Sequence, residues 1–134
     1  MKLIYVSGPL TPKSTELAQS VAETQQNIKQ AMRAWWDIVY VSLDEIGRPR
    51  AAPICPHLSF YLYQEFPQHL WSVVKDNRFW YDMDIAVIKK CDALYLLNGW
   101  EKSVGSRLEK EYAETNGIPT FTSIMKLAQY FGWI

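Results

Sequence analysis

Cysteine is nearly absent from this chain of 134 residues: there are two, Cys55 and Cys91. Neither belongs to a C-x-x-C pair or to a metal-ligand spacing, so both read as reduced, buried thiols and no metal is expected. Charge of one sign is absent too, because fourteen Lys and Arg balance fourteen Asp and Glu. With no net positive field there is nothing to hold a phosphate polymer by counterion release, so a nucleic acid polymer is not an expected partner. A single nucleotide is still compatible. Long apolar runs are missing as well. Leu3-Ile4-Tyr5-Val6 meets Gly8-Pro9 far short of the h-region of a signal peptide, and nothing approaches the roughly 20 apolar residues of a membrane span. A soluble, cytoplasmic protein with no membrane partner is expected. Also lacking are G-x-G-x-x-G after the first strand, G-x-x-x-x-G-K-[ST] and G-x-S-x-G. Dinucleotide oxidoreductase, P-loop phosphotransferase and α/β-hydrolase readings therefore have no defining loop.

What is present is a globular composition, 49% apolar and 21% charged, over a length that suits one domain spanning residues 1–134. Any site must lie on one core or between copies of it. The aromatic load is high, six Trp, eight Tyr and five Phe, with several crowded between Phe60 and Tyr81. Such side chains fill small cores and subunit interfaces, and they also stack on planar ligands. A homodimer or higher homo-oligomer is expected on this ground.

Along the chain, Leu3 to Ser7 predicts a buried strand stopped by Gly8-Pro9. Ser14 or Thr15 can cap a helix whose apolar positions Leu17, Val21, Ile28, Met32 and Trp35 fall at helical spacings, ending near Trp36. A turn at Asp44 to Gly47 leads to a strand from Ala51 to Cys55 that ends at Pro56-His57. Residues 58 to 80, interrupted by Pro67, fit short helices or an ordered loop. Tyr81 to Lys90 reads as a helix with two lysines in its last turn, and Ala93 to Leu97 as a strand. The loop Asn98 to Gly105 then enters a helix from Ser106 to Asn116 closed by Gly117. Pro119 to Phe121 gives a further strand, and Ser123 caps a last helix to about Tyr130. Strands too apolar to have a wet face, alternating with helices, imply a doubly wound (flavodoxin-like or Rossmann-like) α/β fold. Its parallel sheet of four to five strands would carry helices on both faces. Ligands of such sheets bind outside the carboxyl ends of the strands, which places Gly8, His57 and the 98–105 loop on one rim.

Chemistry concentrates in Ser103-x-Gly105-x-x-x-Glu109, where a helix start attracts anions and Gly105 lets backbone approach a ligand. The helix dipole would favour ionised Glu109, keeping a carboxylate available as a nucleophile or simply stabilising the helix start. Asp84, flanked by Asp82 and followed by Asp92, is a second carboxylate that is either functional or part of a solvated face. His57 suits an acid, base or hydrogen-bond role at the rim, whereas His69 reads as packing.

These residues resemble a family, the nucleoside 2-deoxyribosyltransferases and the related 2'-deoxynucleoside 5'-phosphate N-hydrolases, with their short phage and bacterial relatives. The likeness rests on Ile4-Tyr5-Val6-Ser7-Gly8-Pro9, on Asp84 eight residues before Asp92, and on Gly105-x-x-x-Glu109-x-x-x-Ala113. The resemblance implies that Glu109 is the nucleophile at the anomeric carbon, that Asp84 handles the nucleobase and that Tyr5 orients the nucleophile. It further implies that Ser103, Gly105 and Gly8 with Pro9 line a 5'-phosphate site, with no cofactor. No arginine follows soon after Gly8, where the hydrolases carry one, so Arg107, Lys102, Arg78 or a neighbouring subunit would have to supply the charge. Trp100, Phe79 and Trp80 are candidates to stack on the base.

The activity expected from this likeness is hydrolysis or transfer at the N-glycosidic bond of a 2'-deoxynucleoside or its 5'-monophosphate. The partner would be a small-molecule nucleoside or nucleotide. The alternative is a nucleotide-binding or sensing module of the same fold without efficient catalysis. A ribonucleotide phosphoribohydrolase is disfavoured because P-G-G-x-G-T-x-x-E is missing.

Overall fold

The first strand, β1 (Lys2–Ser7), runs through the middle of the sheet, so its hydrophobic residues are covered from both sides. The structure is a computed structural model that describes residues 1–10, 16–58 and 77–134. After β1 come helix α1 (Leu17–Val41), β2 (Ala51–Ile54), a 3₁₀ turn (Pro56–Leu58) and α2 (Asn77–Ile88). The chain continues through β3 (Ala93–Leu96), a second 3₁₀ turn (Trp100–Lys102), α3 (Val104–Thr115), β4 (Thr120–Phe121) and α4 (Ile124–Tyr130). The four strands are all parallel in the order β2-β1-β3-β4. This is the expected Rossmann-like architecture.

Alternation along β1 divides the core. Ile4 and Val6 pack with Ala31, Ala34 and Ile38 of α1 and Leu127 of α4 on one face. Tyr5 points the other way, into a cluster with Ile85 and Ile88 of α2, Leu94 and Leu96 of β3 and Ala113 of α3. Helices thus cover both faces, and the residues of β1 with odd numbers look toward α2 and α3.

Helix α1 differs from expectation in length and in its buried side. It continues to Val41 because Ile38 adds another buried contact and Ser42 then closes the turn, its N–H bonding the carbonyls of Ile38 and Val39. Of the five apolar positions read as its core stripe, only Ile28 is fully buried. Leu17, Val21 and Met32 are exposed, and Ala31 and Ala34 lie against the sheet instead, where small side chains allow close approach. Trp35 is half-buried and donates its indole N–H to the Pro53 carbonyl at 3.0 Å. Glu16 stands at the N-cap position, while the expected caps Ser14 and Thr15 lie outside the described residues. So do Pro67, His69 and most of the aromatic-rich segment, 59–76.

Other boundaries shift by small amounts. Helix α2 starts at Asn77 and stops at Ile88, leaving Lys89 and Lys90 in the tight turn where Cys91 N–H bonds the Ile88 carbonyl. Cys91 is buried and Cys55 half-buried, and no disulfide joins them. The Asp44–Gly47 turn forms as expected. Asp44 Oδ1 accepts from the N–H groups of Ile46 and Arg48, and Gly47 takes φ of 79°. Among the described residues, no helix is long and apolar enough to cross a membrane.

The carboxyl ends of β1 and β3 are drawn tightly together. Leu97 N–H bonds the Ser7 carbonyl at 2.8 Å, and a Cβ built on Gly8 would stand 2.7 Å from Leu97 Cβ and Cδ1. Gly8 is therefore required by packing, whatever else it does. Gly8→Ala should cost about 1–3 kcal/mol of folding free energy by overpacking. Urea denaturation at fixed pH measures this, and an unchanged midpoint would show that the two strand ends separate without penalty.

Candidate functional site

Tyr5 and Ser7 are two residues apart on β1, so both project from the same face of the sheet toward α3. Glu109 lies on the inner side of α3, in line with buried Ser106 and Ala113 at helical spacing. The three side chains meet in the interior. Tyr5 donates its hydroxyl hydrogen to Glu109 Oε2 at 2.5 Å, and Ser7 donates to Glu109 Oε1 at 2.8 Å. Relative exposures of 1% for Tyr5, 0% for Ser7 and 6% for Glu109 make this a buried carboxylate held at both oxygens. Asp84, half-buried on α2, is close enough to the same phenol to hydrogen-bond with it.

Burial pushes the Glu109 carboxyl up to about 7; the Tyr5 and Ser7 hydrogen bonds oppose the rise and the nearby Asp84 charge adds to it. This reverses the expectation that the helix dipole keeps Glu109 readily ionised, because loss of water outweighs a dipole contribution at that depth. Asp84 is raised by burial to about 6, against the Tyr5 hydrogen bond. Tyr5 is pushed up, out of the range in which it could ionise, by burial and then by the two carboxylates.

Two carboxylates sharing one phenol titrate as a unit. The phenol has a single proton. Given to Glu109, it leaves the phenolic oxygen as an acceptor, and Asp84 can satisfy that oxygen only when protonated. Glu109 receives two hydroxyl donors, so hydrogen bonding favours the tautomer with neutral Asp84, neutral Tyr5 and ionised Glu109, whereas burial, which raises Glu109 further than Asp84, favours the shared proton on Glu109; the pair exchanges between the two. The site then carries one negative charge.

The other expected site residues occupy the same rim with different roles. Ser103 is the N-cap of α3, accepting from Ser106 N–H at 3.3 Å. The helix therefore begins at Val104, two residues before the expected start, and Gly105 lies in its first turn. A Cβ on Gly105 would meet nothing closer than Ser103 Oγ at 4.0 Å. No contact within the described protein demands glycine there. Ser106 Oγ, buried in the same turn, has no hydrogen-bond partner among the described residues.

His57 sits in the 3₁₀ turn after β2 and is 2% exposed. Its Nε2 lies 3.1 Å from the Pro9 carbonyl, which can only accept, so Nε2 carries the proton and Nδ1 is left as an acceptor without a partner among the described residues. Burial lowers the imidazole pKa, opposed by the Pro9 and Gly8 carbonyls. His57 thus braces the Gly8-Pro9 loop and is not open to solvent. Trp100 also differs from a free stacking ring: it packs against the cluster containing Tyr5, with the Lys110 ammonium 5.3 Å from its centroid.

The remaining carboxylates separate from the site. Asp92 accepts from Leu3 N–H at 2.8 Å, at the opposite end of the strands, and exposed Asp82 pairs with Arg78 at 3.6 Å. A shallow hollow lined by Leu43, Asp44, Arg50 and Trp133 lies at that opposite end too, away from Glu109 and Asp84. Among the described residues no group of His, Cys, Asp or Glu is arranged to hold a metal ion. Ser7 was not singled out from sequence. Its signal was parity with Tyr5 on a strand that ends beside a glycine.

Residues 69–122 match the sequence profile of a domain of unknown function, DUF4406. That span contains Asp84, Ser103, Gly105 and Glu109 and excludes Tyr5, Ser7, Gly8 and His57. No curated protein and no solved structure matches the chain.

A raised carboxyl makes folding take up a proton, so its contribution to stability is full below the ordinary glutamate range and is lost as pH rises through about 7. Between pH 5 and pH 8, wild type should therefore lose on the order of 2–3 kcal/mol from Glu109. Glu109→Gln, whose amide can still meet both hydroxyls, should flatten this dependence and exceed wild type in stability at pH 8. Urea denaturation across the range checks it; parallel curves for the two proteins would mean that Glu109 ionises as freely folded as unfolded.

Proposed function

We propose that the protein cleaves the N-glycosidic bond of a 2'-deoxynucleoside or its 5'-monophosphate, with Glu109 as the nucleophile, by hydrolysis or by transfer to an acceptor base. The observation that carries this reading is the buried Glu109 carboxylate held at both oxygens, with a second carboxyl, Asp84, in hydrogen-bonding reach of the same Tyr5 phenol. The resemblance of Tyr5, Asp84 and Gly105-x-x-x-Glu109 to the nucleoside 2-deoxyribosyltransferases and their phosphate-specific hydrolase relatives supports it.

The chemistry follows from the proton count. Ionised Glu109 attacks the anomeric carbon as the bond to the base nitrogen breaks, giving a glycosyl ester and a base that leaves poorly as an anion. Neutral Asp84 donates its proton to that base, and is then the carboxylate able to accept a proton from the water or acceptor that resolves the ester. Tyr5 holds Glu109 in place and hydrogen-bonds Asp84 as well. The Ser103 to Gly105 turn at the start of α3 offers helix-end amides and open space for a 5'-phosphate. Arg107 and Lys102, both exposed, are the nearest cations in sequence.

The test is base release, followed by chromatography, from a panel of deoxynucleosides, deoxynucleoside 5'-monophosphates and ribonucleotides, with and without acceptor base. Release is expected from a deoxy substrate and should fall to background in Glu109→Gln. The profile of kcat/KM should be a bell between about pH 6 and 7, because productive enzyme has one proton on the pair. Asp84→Asn should reduce turnover roughly 10²–10⁴-fold and remove the alkaline limb. Binding of intact nucleotide with no base released from any substrate would overturn the enzymatic reading in favour of a nucleotide-sensing module.

A further inference from the structure

We propose that Ser7 is a positioning residue for Glu109, fixing the plane of its carboxylate and hence the oxygen lone pair that faces the reacting carbon. The proposal rests on the reading of Glu109 as nucleophile. It starts from the torsion that a single hydrogen bond leaves free. Rotation about the last bond of a glutamate side chain is broad and has no sharp staggered minima. Tyr5, bonded only to Oε2, would let the carboxylate swing about that contact. The Ser7 hydrogen bond to Oε1 at 2.8 Å supplies the second point that stops it.

Ser7 suits this task because it is itself immobile. It is fully buried, it is the last residue of β1, and its carbonyl accepts from the N–H of Leu97, just after β3, at 2.8 Å. Strand period two places Ser7 and Tyr5 roughly 7 Å apart on one face, so the carboxylate is held across the gap between them. Each carboxylate oxygen keeps a lone pair that neither hydroxyl uses. With both bonds made, the orientation of those lone pairs is set before substrate arrives, which is where near-attack geometry gains its advantage. The titratable groups facing Glu109 among the described residues are Tyr5 of β1 and Asp84 of α2. The clustered side chains of β3 and α3 beside them, Leu94, Leu96 and Ala113, are apolar. Removing the Ser7 hydroxyl therefore leaves Oε1 buried with nothing charged to replace it.

The test combines an infrared titration of the Glu109 carboxyl, assigned by its loss in Glu109→Gln, with kinetics of Ser7→Ala and Ser7→Thr. A urea midpoint for each variant establishes that it is folded. In Ser7→Ala the carboxyl should titrate on the order of one to two pH units higher. Its kcat should fall roughly 10–100-fold, with KM changed far less. Ser7→Thr, which restores the hydroxyl, should return both toward wild type. The infrared shift does not depend on turnover. A shift without any Glu109-dependent base release would uphold the grip on the carboxylate and remove the glycosidic reading. A carboxyl that titrates in Ser7→Ala as it does in wild type would overturn the role of Ser7, whatever the turnover.

Discussion

A carboxylate deprived of water has to be answered by hydrogen bonds, and the answer to Glu109 comes from the other end of the chain. Tyr5 and Ser7 reach it because β1 is an interior strand, flanked by β2 and β3, with its odd-numbered residues turned toward α2 and α3. Had its register slipped by one residue, Ile4 and Val6 would face α3 and the carboxylate would meet hydrocarbon. The division of the core into two clusters, one under α1 and α4 and one under α2 and α3, is therefore the same constraint that assembles the site.

The geometry also explains why the rim loops are tied down so thoroughly. His57 bonds the Pro9 carbonyl, Asn27 of α1 bonds the Leu10 carbonyl, and Gln30 reaches the Asn98 carbonyl. These contacts link the loops after β1 and β3 to the 3₁₀ turn after β2 and to α1. The rim is held by side chains that themselves take no part in the proton arrangement at Glu109. A shared proton among Asp84, Tyr5 and Glu109 depends on oxygen separations of a few ångströms, and such separations persist only where backbone on both sides is restrained.

Much of this was legible from residue order. Apolar strands punctuated by Gly8, Pro56 and Gly99, the capping Ser123 and the left-handed Gly117 led directly to the parallel sheet. Tyr5, Asp84 and Glu109 do converge as their motifs suggest. The misses have physical causes. Helix α1 was read from its large side chains, yet Ala31 and Ala34 line the sheet, because closeness of backbones counts there and size works against it. The sequence places Ser103 on a loop, whereas it caps α3, its hydroxyl accepting the Ser106 N–H and keeping its own hydrogen to donate. Of the acid, base and hydrogen-bond roles open to His57, the structure shows the hydrogen bond, and its depth is illegible in the sequence because its surroundings, the carbonyls of another loop, have no local signature. Ser7 passed unnoticed because one serine inside an apolar strand carries meaning only once its opposite number on α3 is known.

The two hydrogen bonds that hold Glu109 bridge residues 104 and 102 apart in the chain. Contacts of that separation close late, after the intervening loops have lost their freedom. Until α3 docks, β1 holds two hydroxyls without an acceptor, and Glu109 titrates as an ordinary solvated acid. The doubly hydrogen-bonded, raised state of the carboxyl is thus a report on completed folding: a chain lacking β1 has the residue but not the two hydroxyls that hold it. The profile match over residues 69–122 covers such a piece, containing the acid and omitting the strand that grips it.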